Sequence, residues 1–579
     1  MADGVALKRI PYGEVNFRAI RQENSAYVDK TRYIEVLEKY GGDSSLIVRP
    51  RRFGKTLFTQ MLEAYYDECL AEEFEKNFAG TYIGEHKTAL ASSFRVIHFD
   101  FSGISESENI KRSFLSKVRN AVKDYFERYP HPKQDEVLKS STNNVADFIG
   151  DFFTLLNRQF YRKIYVIIDE YDQFTNDILS ADVEEFKKIT SAHEAYYKSF
   201  FMRIKEATQG AAARVFITGV SVFSLDSMTS GFNIATNISM EAPFAGMFGF
   251  TEAELRKLIP EVVDLKPTGL STDDVVAKMK EWYNGYRFSP FSSETVFNST
   301  MCLYALSKIL LRGKLPAKMT DRNLGQNIEK IDGILRLASP RLVKEILEKA
   351  LNNVPLPFEE EGADLNLNLE KDVGEFEVLS ILFYMGFLTY TEGGDTALCI
   401  PNRAVRIQFL EYFLKHIIQV KSEFVNSDFV KTLAPLSVGN PEPFFNFACN
   451  RYSDASGLHD HAHLNESNFQ TLLVGNFNLT DLYDIQNEYE VRGKDAKGYA
   501  DILVTPKKGS AAKYSYLIEI KHLKVEEGKS VSRLQDTVDE AKKQLARYSL
   551  GNNVSNIENL KRIVAVFVGV ELKVLEVFD

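Results

Sequence analysis

The sequence predicts an α/β protein: a parallel sheet with crossover helices, a helical lid and middle region, and a second α/β core toward the C-terminal end. Three observations predict it. Short apolar runs bounded by helical sequence recur up to residue 250, amphipathic stretches dominate 251–432, and a strand-rich order returns over 433–579. These limits divide the 579 residues into three segments, in keeping with a loose prior of about 150 residues per domain.

In the first segment the run SLIV (Ser45–Val48) enters RPRRFGKT and then an amphipathic helix from Lys55, with Leu57, Met61, Ala64 and Tyr65 on one face. The runs Arg95–Phe101, Lys163–Ile168 and Arg214–Thr218 follow, each between helical stretches, the pattern of parallel strands joined by crossovers. The second segment holds TEAELRKL and DDVVAKMKEWYNGY, then a polar, proline-bearing stretch, Val354–Asp372, that reads as an exposed loop. Helices resume over Glu375–Leu388 and Arg403–Val420. In the third segment a helix near Leu464–Val474 precedes a strand ending at Val491, strands Gly498–Thr505 and Tyr514–Ile520, a long helix Val531–Leu550 and a last strand Arg562–Val570. The order is α-β-β-β-α-β, and no repeat of solenoid length interrupts it.

A hydrophobic content of 44% with 26% charged residues suits a chain that buries sizeable cores. No run approaches the ~20 apolar residues of a bilayer span. The opening MADGVALKRIPYGEV lacks an apolar h-region, so the expectation is a cytoplasmic protein with no membrane contact. Cys69, Cys302, Cys399 and Cys449 are widely scattered, which argues against disulfides and zinc knuckles. Seventy Lys and Arg against eighty Asp and Glu leave a net charge of −10. Nucleic acid would therefore be held by a local basic patch, not by overall charge.

Gly54-Lys55-Thr56 stands between an apolar strand and a helix, the context a phosphate-binding loop requires. Backbone N–H groups at the helix N-terminus cradle phosphates, Lys55 reaches the β- and γ-oxygens, and Thr56 ligates magnesium. Arg52 and Phe53 lead into the glycine, and Arg49 stands where G-x-x-x-x-G-K-[ST] has its first glycine. Roughly 110 residues on, Ile164–Ile168 ends in Asp169-Glu170. Asp169 would hold the magnesium, and Glu170 would polarise the attacking water. Thr218, ending the next strand, is a candidate sensor of the γ-phosphate; alone, DEYD would read as a solvated strand end.

Together with IPYGEVNFRAIRQENSAYVDKT, VRPRRFGKTLF, VIIDEYD, ITGVSVFS, FGFTEAEL and WYNGYRF, these motifs resemble the predicted AAA-ATPase-like family of bacteria over most of residues 7–300. The resemblance implies a P-loop fold with a helical lid, ATP as the ligand, and self-assembly into a homo-oligomer of unstated size. It also makes the Arg49 form of the loop a family variant. Arg287 in WYNGYRF is a candidate cis arginine for the γ-phosphate, the alternative being a surface arginine stacked on Tyr283 or Tyr286. Asp29 and Lys30 of YVDKT match the family without a legible physical role.

In the last segment Asp501 begins the apolar end of one strand, and Glu519-Ile520-Lys521 closes the next, a D-x(17)-E-x-K spacing. Strand alternation puts Glu519 and Lys521 on one face. Two carboxylates can hold Mg2+, or Mn2+ as the alternative ion, against a phosphate, while Lys521 orients or deprotonates water. The pattern resembles the PD-(D/E)XK nuclease superfamily. That resemblance implies a metal-contacting role for Glu466 on the preceding helix and a nucleic-acid role for Gln544 and Tyr548 in Q-x-x-x-Y. Gly498-Tyr499-Ala500-Asp501 departs from the G-R-x-D form of the family. Lys507, Lys508, Lys513 and Lys524 could meet phosphates or simply be solvated. His459, His461 and His463 read as a polar loop in preference to a metal site.

The expected function is ATP binding and hydrolysis joined to Mg2+-dependent phosphodiester cleavage of DNA or RNA under nucleotide control. The alternatives are a nucleotide switch whose last domain binds nucleic acid without cutting, and an ATPase acting on a protein partner.

Overall fold

The computed structural model describes residues 7–103, 110–172, 196–220, 234–316, 319–320, 335–336, 338–358, 373–392, 396–413, 427–453, 465–480, 482–493 and 496–579. The chain folds as two compact units, Met1–Pro340 with Pro355–Ala404, and Arg341–Val354 with Val405–Asp579. Residues 251–340 and 355–404 thus share a unit with the N-terminal sheet.

In the first unit, β1 (Ser44–Val48), β2 (Arg95–Asp100), β3 (Ile164–Asp169), β4 (Ala212–Gly219) and β5 (Thr236–Asn237) form a parallel sheet in the order β2-β3-β4-β1-β5. β1 and β3 are buried at every position, as strands covered on both faces must be. Because β4 lies between them, Thr218 pairs with Ile47 on one side while Ile217 pairs with Ile168 on the other. The carboxyl ends of three strands therefore deliver the phosphate loop, Thr218 and Asp169 side by side, the place where parallel sheets bind ligands.

The helix Lys55–Tyr66 starts directly from the loop, with Gly54 as its N-cap at φ 94°. Further on, the helices Glu252–Val262 and Thr272–Tyr283 open with reciprocal capping boxes, Thr251 with Glu254 and Ser271 with Asp274. The helix expected over Glu375–Leu388 stops at Tyr384, because Gly386 takes φ 81° and the chain turns into a strand. That strand belongs to a small antiparallel sheet, β6 (Leu356–Pro357), β7 (Thr389–Tyr390) and β8 (Ala397–Cys399), which the helical pattern had not announced. β6 also replaces the beginning of the expected loop; residues 359–372 lie outside the described residues.

The second unit carries the helix Glu466–Phe477, then β9 (Tyr483–Val491), β10 (Gly498–Pro506) and β11 (Ser515–Leu523), the helix Val531–Ser549, and β12 (Leu560–Val568) with β13 (Glu571–Phe578). The sheet order is β13-β12-β11-β10-β9, with β11 and β12 parallel and the other pairs antiparallel. The expected α-β-β-β-α-β order is present, with β13 as an additional edge strand. Val538, Ala541, Leu545 and Tyr548 pack on Ala500, Leu503, Leu517 and Val564. Ala500 and Leu503 have opposite parity yet face the same core, so β10 turns over between them, at Asp501.

Candidate functional site

The phosphate loop is tied into the unit by the side chains that make its sequence unusual. Arg49 is buried at 2% exposure; its guanidinium donates to the carbonyls of Val48 at 2.9 Å, Ser239 at 2.6 Å and Phe244 at 3.3 Å. It also lies 4.4 Å from the centroid of the Phe288 ring. Burial pulls its pKa down to about 9, still charged at neutral pH. Arg49 is thus an internal clamp, and its backbone carbonyl faces the loop. Lys55 Nζ donates to that carbonyl at 3.0 Å and to the Pro50 carbonyl at 3.2 Å. Burial lowers the Lys55 pKa against the opposing pull of Glu170, Asp169 and Asp172.

Phe53 is 2% exposed, with its ring edge-on to Tyr286 at 4.9 Å and to Phe288 at 5.4 Å. Its side chain is an anchor in the core, so what it has for a nucleotide is its backbone N–H. Arg52 takes φ 73°, and its carbonyl accepts from Ser299 Oγ and Thr300 Oγ1, each at 3.1 Å. The YVDKT motif acquires a role here as well. Asp29 caps Thr31 and accepts from the Tyr82 N–H at 2.7 Å. Lys30 reaches the Gly246 carbonyl at 2.8 Å and Glu254 at 2.7 Å.

Across the loop, Asp169 is 1% exposed and accepts from Thr59 Oγ1 at 3.4 Å. Burial raises its pKa, while His98, a hydrogen bond from Thr56 and the Lys55 charge hold it down. Thr56 and Asp169, the two expected magnesium ligands, are therefore neighbours. Glu170 takes φ 50°, a left-handed conformation that costs a glutamate energy and recurs where function constrains the backbone. Its pKa too is raised by burial and lowered by Lys55. Thr218 is fully buried, and its hydroxyl has no hydrogen-bond partner among the described residues. Asp172, the last residue of DEYD, accepts from the Val220 N–H at 3.0 Å and so joins the turn after β3 to the end of β4. Arg287 is not a surface arginine: it is 8% exposed, its N–H donates to Thr389 Oγ1 at 2.7 Å, and its guanidinium stands 4.0 Å from Glu392.

A cavity of about 420 Å3 opens onto this loop, with Lys55, Thr56 and Glu170 at one end. Its other walls are largely apolar, from Ile20, Tyr27, Val28, Phe250, Leu258 and Leu303. The N-terminal residues Ile20, Tyr27 and Val28 thus form an apolar wall beside the loop. A separate network behind Asp169 had no sequence signal: Glu63 Oε2 pairs with His98 Nδ1 at 3.0 Å, and Arg128 bridges Glu63 and Asp67.

In the second unit Glu519 is 2% exposed; one carboxylate oxygen accepts from Lys521 Nζ at 2.9 Å, and the other is buried without a partner among the described residues. Burial, then the neighbouring Asp501 charge, pushes its pKa up to about 7, against Lys521. Asp501 accepts from the Ile520 N–H at 2.6 Å. Its pKa is raised chiefly by burial, with Glu466 and Glu488 adding to the rise and Lys521 opposing it. Glu466, in the first turn of its helix, accepts from the His522 N–H at 3.4 Å. Gln470 donates to the Asp501 carbonyl at 2.9 Å and to Asn487 at 3.1 Å, a support the sequence did not signal. Among the described residues no three His, Cys, Asp or Glu side chains already stand as a metal-holding group. The donor set nonetheless fits a hard divalent cation: all oxygen donors, mutually repelling, with one buried oxygen unsatisfied. The histidine cluster at 459–463 lies outside the described residues.

Tyr548 is 4% exposed, and a Cβ on Gly498 would lie 2.6 Å from its ring. The ring, expected to contact nucleic acid, packs in the core of this unit. Gln544 is half-buried, with its side-chain carbonyl unpartnered among the described residues. Lys507, Lys508, Lys513 and Lys524 are exposed.

Fold and sites define a nucleotide-binding P-loop unit in one chain with a nuclease-type α/β domain. Residues 11–229 match the family described as predicted AAA-ATPase, and residues 464–577 match the PD-(D/E)XK nuclease superfamily. The chain thus carries a segment similar to each. A curated relative, an uncharacterized protein in the vnfD 5′ region of Azotobacter chroococcum mcd 1, is 26% identical over 299 residues, 50% of this chain and 50% of its own. The chain therefore spans about half the length of that relative. A Walker-type ATPase of Pyrococcus abyssi matches with a TM-score of 0.38 at 13% identity, over 66% of this chain and 94% of its own. Cdc6p from Pyrobaculum aerophilum matches at 0.25 and 11%, over 71% and 97%. Both scores are too low for either structure to inform the reading of this chain. No helix among the described residues is long and apolar enough to cross a membrane.

Proposed function

We propose that the protein binds and hydrolyses ATP at the Lys55 loop and cleaves nucleic-acid phosphodiesters at Asp501, Glu519 and Lys521, with cutting governed by the nucleotide. The observation that carries the nuclease reading is the buried, half-unpartnered Glu519 carboxylate joined to Lys521. An oxygen buried without a partner is costly, and a structure retains it where a ligand completes it. Mg2+ or Mn2+ held by Asp501 and Glu519, with Glu466 beside them, would lower the pKa of water and offset charge on the phosphate. Lys521, fixed by Glu519, orients the attacking water and stabilises charge developing on the phosphate oxygens. Asp501 is held in place by the Ile520 N–H and, through its own carbonyl, by Gln470.

In the nucleotide unit the cavity accepts the base and the Gly54–Thr56 backbone takes the phosphates. Lys55 leaves the Arg49 and Pro50 carbonyls to meet the β- and γ-oxygens. Glu170, set by its left-handed backbone, receives the water's proton, and the Thr218 hydroxyl donates toward the γ-phosphate. Arg287 serves as the cis arginine for the γ-phosphate.

The test is incubation of end-labelled DNA and RNA with the full chain and Mg2+ or Mn2+. Wild type cuts at least one substrate, and Lys521→Ala cuts none although it remains folded. Binding without cleavage by wild type would favour the nucleotide switch instead.

A further inference from the structure

The network behind Asp169 has one open position, at His98. β2 runs parallel to β3 with His98 level with Ile167 and Asp100 level with Asp169. Strand alternation therefore sets His98, Asp100 and Asp169 on one face of the sheet. The helix Lys55–Tyr66 covers that face with a polar stripe that begins at Thr56. Thr59 donates to Asp169 Oδ2 at 3.4 Å, and Glu63, one turn further on, meets His98 Nδ1 at 3.0 Å.

Glu63 fixes the imidazole. Its second oxygen accepts from Arg128 at 3.0 Å, and Arg128 also donates to the Val96 carbonyl at 3.0 Å and to Asp67. Burial opposes the charge on Glu63, but His98 and Arg128 outweigh it and hold its pKa below the ordinary glutamate value. An ionised carboxylate only accepts, so Nδ1 carries the proton of this bond and Nε2 is the nitrogen left over. The His98 side chain is 15% exposed, and Nε2 is buried with no hydrogen-bond partner among the described residues. A buried ring nitrogen left open is costly unless a ligand or a water completes it. Asp169 lies within electrostatic reach: among the groups that offset its burial His98 comes first, ahead of Thr56 and Lys55.

Mg2+ held at Thr56 and Asp169 would keep several of its waters, because it dehydrates reluctantly, and those waters need partners in the wall of the site. A water can donate to a bare Nε2 or accept from a protonated one, so the bond does not depend on the charge of the ring. We propose that His98 is a positioning residue for the nucleotide's Mg2+, anchored through Nδ1 by Glu63 and presenting Nε2 to a water of that cation. This rests on the nucleotide reading above, with Thr56 and Asp169 as the ligands.

The experiment measures the affinity of the full chain for a fluorescent, non-hydrolysable ATP analogue, once with Mg2+ and once with EDTA. Wild type, Thr56→Ala, His98→Asn and His98→Gln are compared, each checked for folding by circular dichroism. An asparagine amide stands where Nδ1 does and keeps the bond to Glu63, whereas a glutamine amide reaches the position of Nε2. His98→Asn should therefore lose about tenfold or more of the tightening that Mg2+ gives wild type, with its affinity in EDTA unchanged. His98→Gln should recover part of that loss. A role confined to packing predicts the reverse order, because the bond to Glu63 is what asparagine keeps. A full Mg2+ effect in His98→Asn, or equal weakening with Mg2+ and with EDTA, would overturn this inference and leave the nucleotide reading standing. No Mg2+ effect in wild type, or one that survives in Thr56→Ala, would overturn both.

Discussion

Glu519 is where burial and charge conflict most plainly. Its folded pKa, about 7, exceeds the ordinary glutamate value. A carboxyl raised in this way contributes stability that is complete below the unfolded pKa and is lost as pH rises through the folded one. The metal-free chain should lose on the order of 3 kcal/mol from this group between about pH 4.5 and 8. Mg2+, which favours the ionised form, should restore more stability at pH 8 than at pH 6. Calorimetry of wild type and Glu519→Gln checks this: the variant should show neither the decline nor the magnesium effect, and an identical pH profile would refute the assignment. Arg49 makes the complementary case. Writing a glycine back at this position should not improve the loop, because the Ser239 and Phe244 carbonyls would lose a charged donor. Arg49→Gly is expected to cost at least ~2 kcal/mol and to weaken ATP binding in a fluorescent-nucleotide titration; tighter binding would contradict the clamp. The environment of Arg49 was not legible in the sequence. A charged residue in a loop reads as solvated, and the partners of Arg49 lie about 190 residues away.

Strands and helices were easier to read than side-chain environments, for a physical reason. β3 is apolar from Ile164 to Ile168 and β1 from Leu46 to Val48, and such runs mark strands buried on both faces. GKT and DE then follow at their ends, so the nucleotide elements were visible locally. The carboxylate pair was equally visible, since D-x(17)-E-x-K places its members on neighbouring strands. β13 escaped notice because it alternates between exposed and half-buried positions, carries Glu, Leu and Lys, and follows β12 through a tight turn at Gly569. The packing of Tyr548 against Gly498 was not legible, because a tyrosine on a helix does not disclose which way it packs. The enclosing contact predicts a coupling. Gly498→Val and Tyr548→Ala should each lower the melting temperature, by amounts corresponding to roughly 1–3 and 3–5 kcal/mol. Combined, they should cost clearly less than their sum, because the alanine removes the ring the valine strikes. Strict additivity in thermal denaturation would argue against the contact.

At the scale of the whole molecule, the proposed function joins two phosphate chemistries in one chain. A net charge of −10 means that nucleic acid must be gripped locally. Binding to DNA or RNA should accordingly weaken only modestly with salt, with a shallow slope of log affinity against log salt that reflects a few phosphate contacts. A slope as steep as that of a protein contacting ten phosphates would contradict a small basic footprint, and a filter-binding series at increasing salt distinguishes the two. The division at residues 340 and 404 could not be read from composition, because the helix Pro340–Leu351 looks like its neighbours in sequence and joins the second unit through the packed chain.

The central claim is that the nucleotide governs the cutting, and the rate of Mg2+-dependent cleavage measured with and without ATP tests it most directly. Wild type should cut at rates that differ at least tenfold between the two conditions. Lys55→Ala should cut at one fixed rate whatever the ATP concentration, and Lys521→Ala should not cut in either. Cleavage by wild type that is indifferent to ATP, or an ATP response that survives in Lys55→Ala, would contradict the account.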